Sequence, residues 1–403
     1  RRTRLRNRIN QNVARALASL KAKEAVPDLV KLLEAPEPNT RDAVLRSLGT
    51  IGDPSAADVM MEIAENDDEP FIRKVAIESL GELGAAKAVP TLVKMLYSER
   101  GDGVSHYREA RFALIQHGSA AVPELLKTLQ RKNDAIETMK VGDAPILPGV
   151  IEAKAGSALG ALRVNDAEQP MVSALQGLYT QWQRQKNAAE PSVLGAVIEL
   201  TYALGDLGSP GARKAVLGVV SDTNPGIRLA ATEALTTIGD SEAVPALLQA
   251  ARSGGLDAKR AAVIAASQLG DGSRLDSFDA LGTGELEPIV KAERARLEAA
   301  KECSSDIGCW QKKLTEENAR VAARAAFQLG RLGAKDSARA LLDAAEHDNP
   351  QVRMAAVLSL EELGAVDVAR FEAILEDSMK RVKYAPVNQQ MERIIALRSG
   401  SKS

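Results

Sequence analysis

The chain has 403 residues, with 52 Lys and Arg against 54 Asp and Glu, 45% hydrophobic residues and only 3% aromatic ones. A net charge of −2 over that length provides no long-range field to gather nucleic acid or an anionic membrane surface. No stretch approaches the roughly 20 apolar residues of a membrane-spanning helix, and the core must be built from Ala, Leu, Val and Ile rather than from rings.

The sequence opens on Arg1-Arg2-Thr3-Arg4-Leu5-Arg6-Asn7-Arg8, its one dense basic run. Such an opening without Met is expected of a processed or trimmed product, so any membrane association is expected only through an anchor upstream of Arg1. The run reads as the solvated end of a helix whose Leu5, Ile9 and Val13 dock on the first hairpin, with contact to anionic lipid or nucleic acid as the alternative.

From there one unit recurs. The stretch from Ile72 to Gly84 returns from Ile227 to Gly239 and again from Val352 to Gly364. The hydrophobic residue before the terminal Gly marks the period: Ile51, Leu83, Leu207, Ile238, Leu269, Leu332 and Leu363, with adjacent markers 31 or 32 residues apart. In each unit the small and apolar positions fall at i, i+3, i+4, i+7, i+8 and i+11, as in Ile227, Ala230, Ala231, Ala234, Leu235 and Ile238. That is a helical stripe, not a strand alternation. The Gly suits a left-handed C-cap. A second short helix then starts at Val26-Pro27, Val89-Pro90, Val122-Pro123 and Val244-Pro245, because proline gives up an N–H that a first turn does not use. Glu37-Pro38, Glu69-Pro70, Asn224-Pro225 and Asn349-Pro350 are the starts of first helices.

Each unit is therefore a helical hairpin, and hairpins that cannot bury their faces alone must stack into a solenoid. About ten are expected, beginning near residues 9, 39, 70, 105, 148, 190, 224, 256, 316 and 350, with a last helix near 385–398. We see no strands. Small residues let the helices approach closely, which accounts for the scarcity of aromatics. The expected fold is all-α, a right-handed superhelix running through residues 1–403 as a single solenoid. Within it, 1–131 holds regular repeats, 132–189 an irregular repeat with a long loop, 190–270 regular repeats, 271–317 an insert, and 318–403 the last repeats with a capping helix.

Three segments break the period. Residues 98–105 form a Gly-rich loop, and residues 133–150 form an extended connection carrying Gly142, Pro145, Pro148 and Gly149. The insert 271–317 is the largest. It is expected to hold a long charged helix over 285–301 and then Cys303 and Cys309, the two cysteines of the chain. Their placement outside the Ala-rich repeats favours a disulfide, and a disulfide favours an exported protein. A zinc pair, a redox pair and two free thiols are the competing readings. Cys-x5-Cys is not the usual zinc spacing, and His106, His117 and His347 are far away in sequence.

The pattern Asn-Pro-x-(Ile/Val)-Arg-x-x-Ala-Ala…(Leu/Ile)-Gly-Asp…Ala-Val-Pro-x-Leu, read from Asn224 to Leu247, resembles the short bacterial HEAT repeats grouped with phycobilisome-lyase-like proteins. The resemblance covers nearly the whole chain. It implies that second helices line a concave surface, so Lys31, Glu62, Lys94, Lys127 and Gln249, each at the same place in its second helix, form a candidate partner-binding groove for an acidic segment. A solvated face is the plainer alternative. The cysteine-bridged insert also resembles those of bacterial envelope HEAT proteins, which implies the periplasm or attachment to the outer membrane, with the cytoplasm as the alternative.

No Ser-His-Asp arrangement, Walker loop or dinucleotide fingerprint stands out. Asp271, Asp276 and Asp279 do not fit a twelve-residue calcium loop. Arg41, Arg73, Arg228 and Arg353 share one register, and Asp53, Asp240 and Asp271 another; both read as structural ladders. The expected function is a non-enzymatic scaffold for another protein, without a cofactor, metal or nucleic acid, and a component of a larger envelope assembly in one version. The alternatives are a chromophore-lyase-like modifying protein, by resemblance, and a HEAT-type nucleic-acid binder. The last is disfavoured by the charge and by Trp182 and Trp310 being the only tryptophans.

Overall fold

A side-chain oxygen ahead of a proline starts three of the first helices. Asn224 accepts from the Gly226 and Ile227 amides at 2.9 and 3.2 Å, Asn349 from Gln351 at 2.9 Å, and Glu37 from Thr40 at 2.9 Å, filling donors that the helix itself leaves open. In the computed structural model the helices that start at Pro38, Pro70 and Pro225 end on Gly52, Gly84 and Gly239 in the left-handed region, at φ 75°, 70° and 78°. The second helices are announced by the Asp register. Asp53, Asp240 and Asp271 each accept from the amide two residues on, at 2.8–2.9 Å.

The structure describes residues 2–99, 102–185, 188, 190–381 and 386–400. Arg1 of the basic run, Arg100 and Gly101 of the 98–105 loop, and residue 385 at the start of the expected last helix lie outside them. The hairpins are α1 (Arg2–Ser19) with α2 (Val26–Lys31), α3 (Pro38–Ile51) with α4 (Ala57–Asn66), α5 (Pro70–Leu83) with α6 (Val89–Met95), and α7 (Tyr107–Gln116) with α8 (Val122–Leu129). After a single turn, α9 (Asp134–Glu137), come α10 (Val150–Leu162) with α11 (Glu168–Gln185) and α12 (Pro191–Leu207) with α13 (Pro210–Leu217). Then follow α14 (Pro225–Ile238) with α15 (Val244–Ala250), α16 (Leu256–Leu269) with α17 (Leu275–Asp279), and α18 (Glu287–Cys303) with α19 (Ile307–Lys313). The series ends with α20 (Ala319–Arg331) and α21 (Ala338–Ala344), α22 (Pro350–Glu362) and α23 (Val368–Arg381), and α24 (Pro386–Gly400).

The fold is thus the expected all-α stack of hairpins, with two differences. The connection 133–150 carries a minimal antiparallel pair, Lys140–Val141 with Ala144–Pro145, so strands are not wholly absent. The segment read as an insert also supplies a hairpin of its own, because α18 packs on α16 and α20 as a first helix does and α19 packs on α18 and α20. Its departure from the repeat pattern hid it. The chain divides into two compact units, residues 1–196 with 396–403 and residues 197–395; the divide falls inside α12, within the block 190–270.

Within each unit, successive first helices approach very closely. A Cβ built on Gly81 would lie 2.8 Å from the Ala113 Cα, and one on Gly330 would lie 2.6 Å from the Ser359 Oγ. Contacts that short leave room only for glycine, the physical basis of the aromatic-poor core. The stripe Ile227, Ala230, Ala231, Ala234 and Leu235 is buried as the periodicity requires.

The Arg register ties the stack together. Each Arg donates to the carbonyl six residues upstream: Arg41 to Ala35 at 3.0 Å, Arg73 to Asp67 at 2.8 Å, Arg228 to Asp222 at 3.2 Å and Arg353 to His347 at 2.7 Å. Three also reach the next repeat: Arg41 to Asp67 at 3.1 Å, Arg73 to Asp102 in the 98–105 loop, and Arg228 to Ser253. Guanidinium suits this task because its fork serves several acceptors at once.

Candidate functional site

The cavity that stands out lies in the second unit, between α15 and the α16–α17 turn. Its cause is local. The α16 helix ends on Gly270 at φ −68° instead of a left-handed cap, and the turn is made two residues later by Gly272 at φ +83°. A Cβ there would sit 2.6 Å from the Leu297 carbonyl oxygen, so the loop lies directly on α18. The following second helix, α17, has five residues where α15 has seven. The shortened helix leaves a cleft of about 390 Å³.

Val244, Pro245 and Leu248 of the α15 side, with Phe278 and Leu297, make its apolar walls. Ser241, Glu242, Asp271, Ser273 and Arg274 make its polar edge. The Ser273 hydroxyl and amide donate to Asp271 at 2.6 and 2.9 Å and hold its carboxyl below the usual carboxylate range.

Behind the Gly270 edge lies a buried charged cluster that sequence reading missed. Arg324 of α20 donates to the Gly270 carbonyl at 2.8 Å, while its Nε and Nη1 are buried without a hydrogen-bond partner. Burial, with Arg296 adding repulsion, pushes its guanidinium pKa down. Arg296 and Glu293, each with side chains 2% exposed, pair at 2.7 Å. Arg320 and Ser267 bond the same carboxylate at 2.8 and 2.9 Å. The signal was present in the repeat register. Arg324 stands where α3, α5, α14 and α22 carry Ala43, Val75, Ala230 and Ala355.

The groove residues expected from sequence are all exposed: Lys31, Glu62, Lys94 and Lys127 in the first unit and Gln249 in the second. Lys31 pairs with Asp28 at 2.8 Å and Lys94 pairs with Glu65, so two of the three lysines already have local acids. Gln249 lies on α15, next to the cleft-lining Leu248.

Cys303 and Cys309 are joined, with Cα atoms 5.3 Å apart, bridging the end of α18 to the first turn of α19. Asp306 caps α19 through the Cys309 amide at 3.1 Å. Trp310 is fully buried in the same core cluster as Cys303, and its indole N–H donates to the Ser304 carbonyl at 2.9 Å. Two of the three histidines bond backbone groups. His117 bonds the Ala113 and Ala85 carbonyls at 2.8 and 3.2 Å, His347 accepts from the Asn349 amide, and buried His106 has its imidazole pKa lowered by desolvation. Among the described residues no three His, Cys, Asp or Glu side chains gather as a metal requires, and no helix is long and apolar enough to cross a membrane.

Comparison with known proteins matches a family described as HEAT repeats over residues 6–81, 183–268 and 310–387, and a PBS lyase HEAT-like repeat over 72–98. A search of curated proteins returns no match. Solved structures similar to this chain include importin beta, at 12% identity and TM-score 0.45 over 93% of this chain and 57% of that one. Kap121p is similar at 12% identity and TM-score 0.42, over 92% of this chain and 45% of that one. The CpcE and CpcF complex of phycocyanin lyase from Nostoc sp. PCC7120 is similar at 19% identity and TM-score 0.30, over 67% and 93%. The chain spans a little over half the length of the importin beta chain.

Proposed function

Since the chain belongs to the HEAT-repeat family, we propose that it is a non-enzymatic scaffold that binds another protein, working outside the cytoplasm as part of the bacterial cell envelope. The observation that carries the reading is the second-unit cleft. Its apolar walls at Val244, Leu248 and Phe278 under the charged edge of Glu242, Asp271 and Arg274 suit a partner's apolar side chain with charged neighbours. Lys127, with Lys31 and Lys94 paired to their local acids Asp28 and Glu65, marks a second candidate face for an acidic partner segment, which would have to compete with those pairs. The Cys303–Cys309 bridge supports the compartment, since such bonds persist where the surroundings are oxidising.

Photo-crosslinking groups placed at Gln249, Lys31, Lys94 and Lys127 in cells test the scaffold. A discrete protein adduct from Gln249, lost on Arg274→Glu with the thermal melt unchanged, is expected; no adduct from any of the four positions refutes the reading. Trapping the thiols by acid quench and a maleimide gel shift tests the compartment, and two freely alkylated cysteines in fresh cells refute it.

A further inference from the structure

Helix α20 reaches both edges of the second-unit cleft. On one edge Arg324 donates to the Gly270 carbonyl at 2.8 Å, the one hydrogen bond its side chain makes among the described residues. On the other edge the Phe327 ring lies against Gly239: a Cβ built there would meet the ring Cζ at 2.9 Å and the Arg331 Nη1 at 3.4 Å. Gly270 lines the cleft itself, and Gly239 closes α14 directly ahead of Asp240, which caps the turn carrying the cleft residues Ser241 and Glu242. Arg324 and Phe327 are neighbours on one face of α20, with the guanidinium carbon 5.8 Å from the ring centre.

Neither residue is called for by the repeat. Phe327 stands where α3, α5 and α14 carry Arg46, Glu78 and Glu233 and α22 carries Leu358, as Arg324 stands on positions filled by Ala or Val. Arg324 is 2% exposed, and burying a guanidinium on a single protein hydrogen bond is unfavourable even with that bond made. Stability alone therefore does not account for it. The acceptor does. Helix α16 ends on Gly270 without the left-handed cap that closes α3, α5 and α14, so this carbonyl lies where the chain leaves the repeat and opens the cleft. Leu297 confines the same residue from α18, its Cδ2 lying 2.6 Å from a Cβ built on Gly270.

We propose that Arg324 and Phe327 are positioning residues of the cleft: together they set the separation of its 239–242 and 270–274 edges and so govern the fit of the partner's apolar side chain. A directional bond fixes where a carbonyl points, which apolar packing does not, and a binding site is held to shape by the residues behind it. This role rests on the cleft being the docking site, while the geometry assigned to α20 can be measured without a partner.

Arg324→Met, Arg324→Lys and Phe327→Leu are compared with the wild-type chain by amide hydrogen exchange. The reporting amides are hydrogen-bonded, Gly270 to Ala266 and Ser273 to Asp271 at 2.9 Å on one edge, and Gly239 to Leu235 at 3.0 Å and Glu242 to Asp240 at 2.8 Å on the other. Arg324→Met should quicken exchange at 270–273 about tenfold, as expected for the loss of one charge-assisted bond, with α22 exchange and the thermal melt not impaired. Arg324→Lys should restore part of the protection, because one ammonium can serve one carbonyl, and Phe327→Leu should quicken 239–242. The photo-adduct from Gln249 should fall about tenfold in Arg324→Met and recover in Arg324→Lys. Unchanged exchange at 270–273 overturns the proposal. So does a quickening shared by α22, which marks a general loss of stability, or an adduct undiminished by Arg324→Met. Absence of the adduct from the wild-type chain refutes the docking site and leaves the positioning role to be decided by the exchange rates.

Discussion

The Arg228 guanidinium joins two repeats: its Nη1 donates to the Ser253 carbonyl at 2.6 Å and its Nη2 to the Ser253 hydroxyl at 3.0 Å, while Nε holds the Asp222 carbonyl at 3.2 Å. The residue is 4% exposed, so these acceptors have little water to replace it. Arg228→Met should destabilise the second unit by about 2–4 kcal/mol, the cost of several charge-assisted bonds left unmade. Hydrogen exchange should quicken around residues 222–228 and 253, and Arg228→Lys should recover little, since one ammonium does not span the three acceptors.

The buried cluster gives opposite outcomes for two neighbouring arginines. Arg324 carries a charge into a position that is Ala or Val in four other first helices, with two nitrogens unbonded. Arg324→Met should leave stability unchanged or raise it by about 1 kcal/mol. Arg296→Met strips a partner from buried Glu293 and should cost about 3 kcal/mol. Parallel urea titrations compare them, and equal losses would refute the distinction.

Closing the short loop between Cys303 and Cys309 should contribute about 2.4 kcal/mol through the entropy of the unfolded chain. Reduction, or Cys303→Ser with Cys309→Ser, should lower the unfolding midpoint. The change should show first in Trp310 fluorescence, because the indole packs beside the bridge and bonds the Ser304 carbonyl inside the loop.

Asp271 confers a pH dependence whose sign is fixed. The Ser273 hydroxyl and amide hold its folded pKa below the unfolded value, which is about 3.9. Its contribution is therefore complete above that pH and is lost as pH falls through the lower folded value. Ser273→Ala should shrink the difference in melting temperature between pH 7 and pH 3, and an unaltered difference would count against the assignment.

The repeat architecture was legible because its signals are local. A capping oxygen and proline start a helix, a glycine with positive φ ends it, and the stripe between them has one period, so Asn224 to Gly239 can be read without its neighbours. The disulfide was also legible, from two cysteines placed outside the Ala-rich repeat pattern. The cleft was not, because it depends on how far short α17 falls of the length that would fill the space beside α15. Nor was the α18–α19 hairpin, whose sequence departs from the repeat while its packing does not.

What the sequence by itself determined is which residues are helical and which positions are apolar; what only the tertiary structure decided is which apolar face is covered. Leu5, Ile9 and Val13 have the periodicity of a buried stripe and were expected to dock on the first hairpin, yet they are 61%, 52% and 48% exposed, while Ala14 and Ala18 are the buried apolar residues of α1, which packs on α3. Periodicity records a preference for burial. Only the neighbouring helix determines which side of α1 is buried.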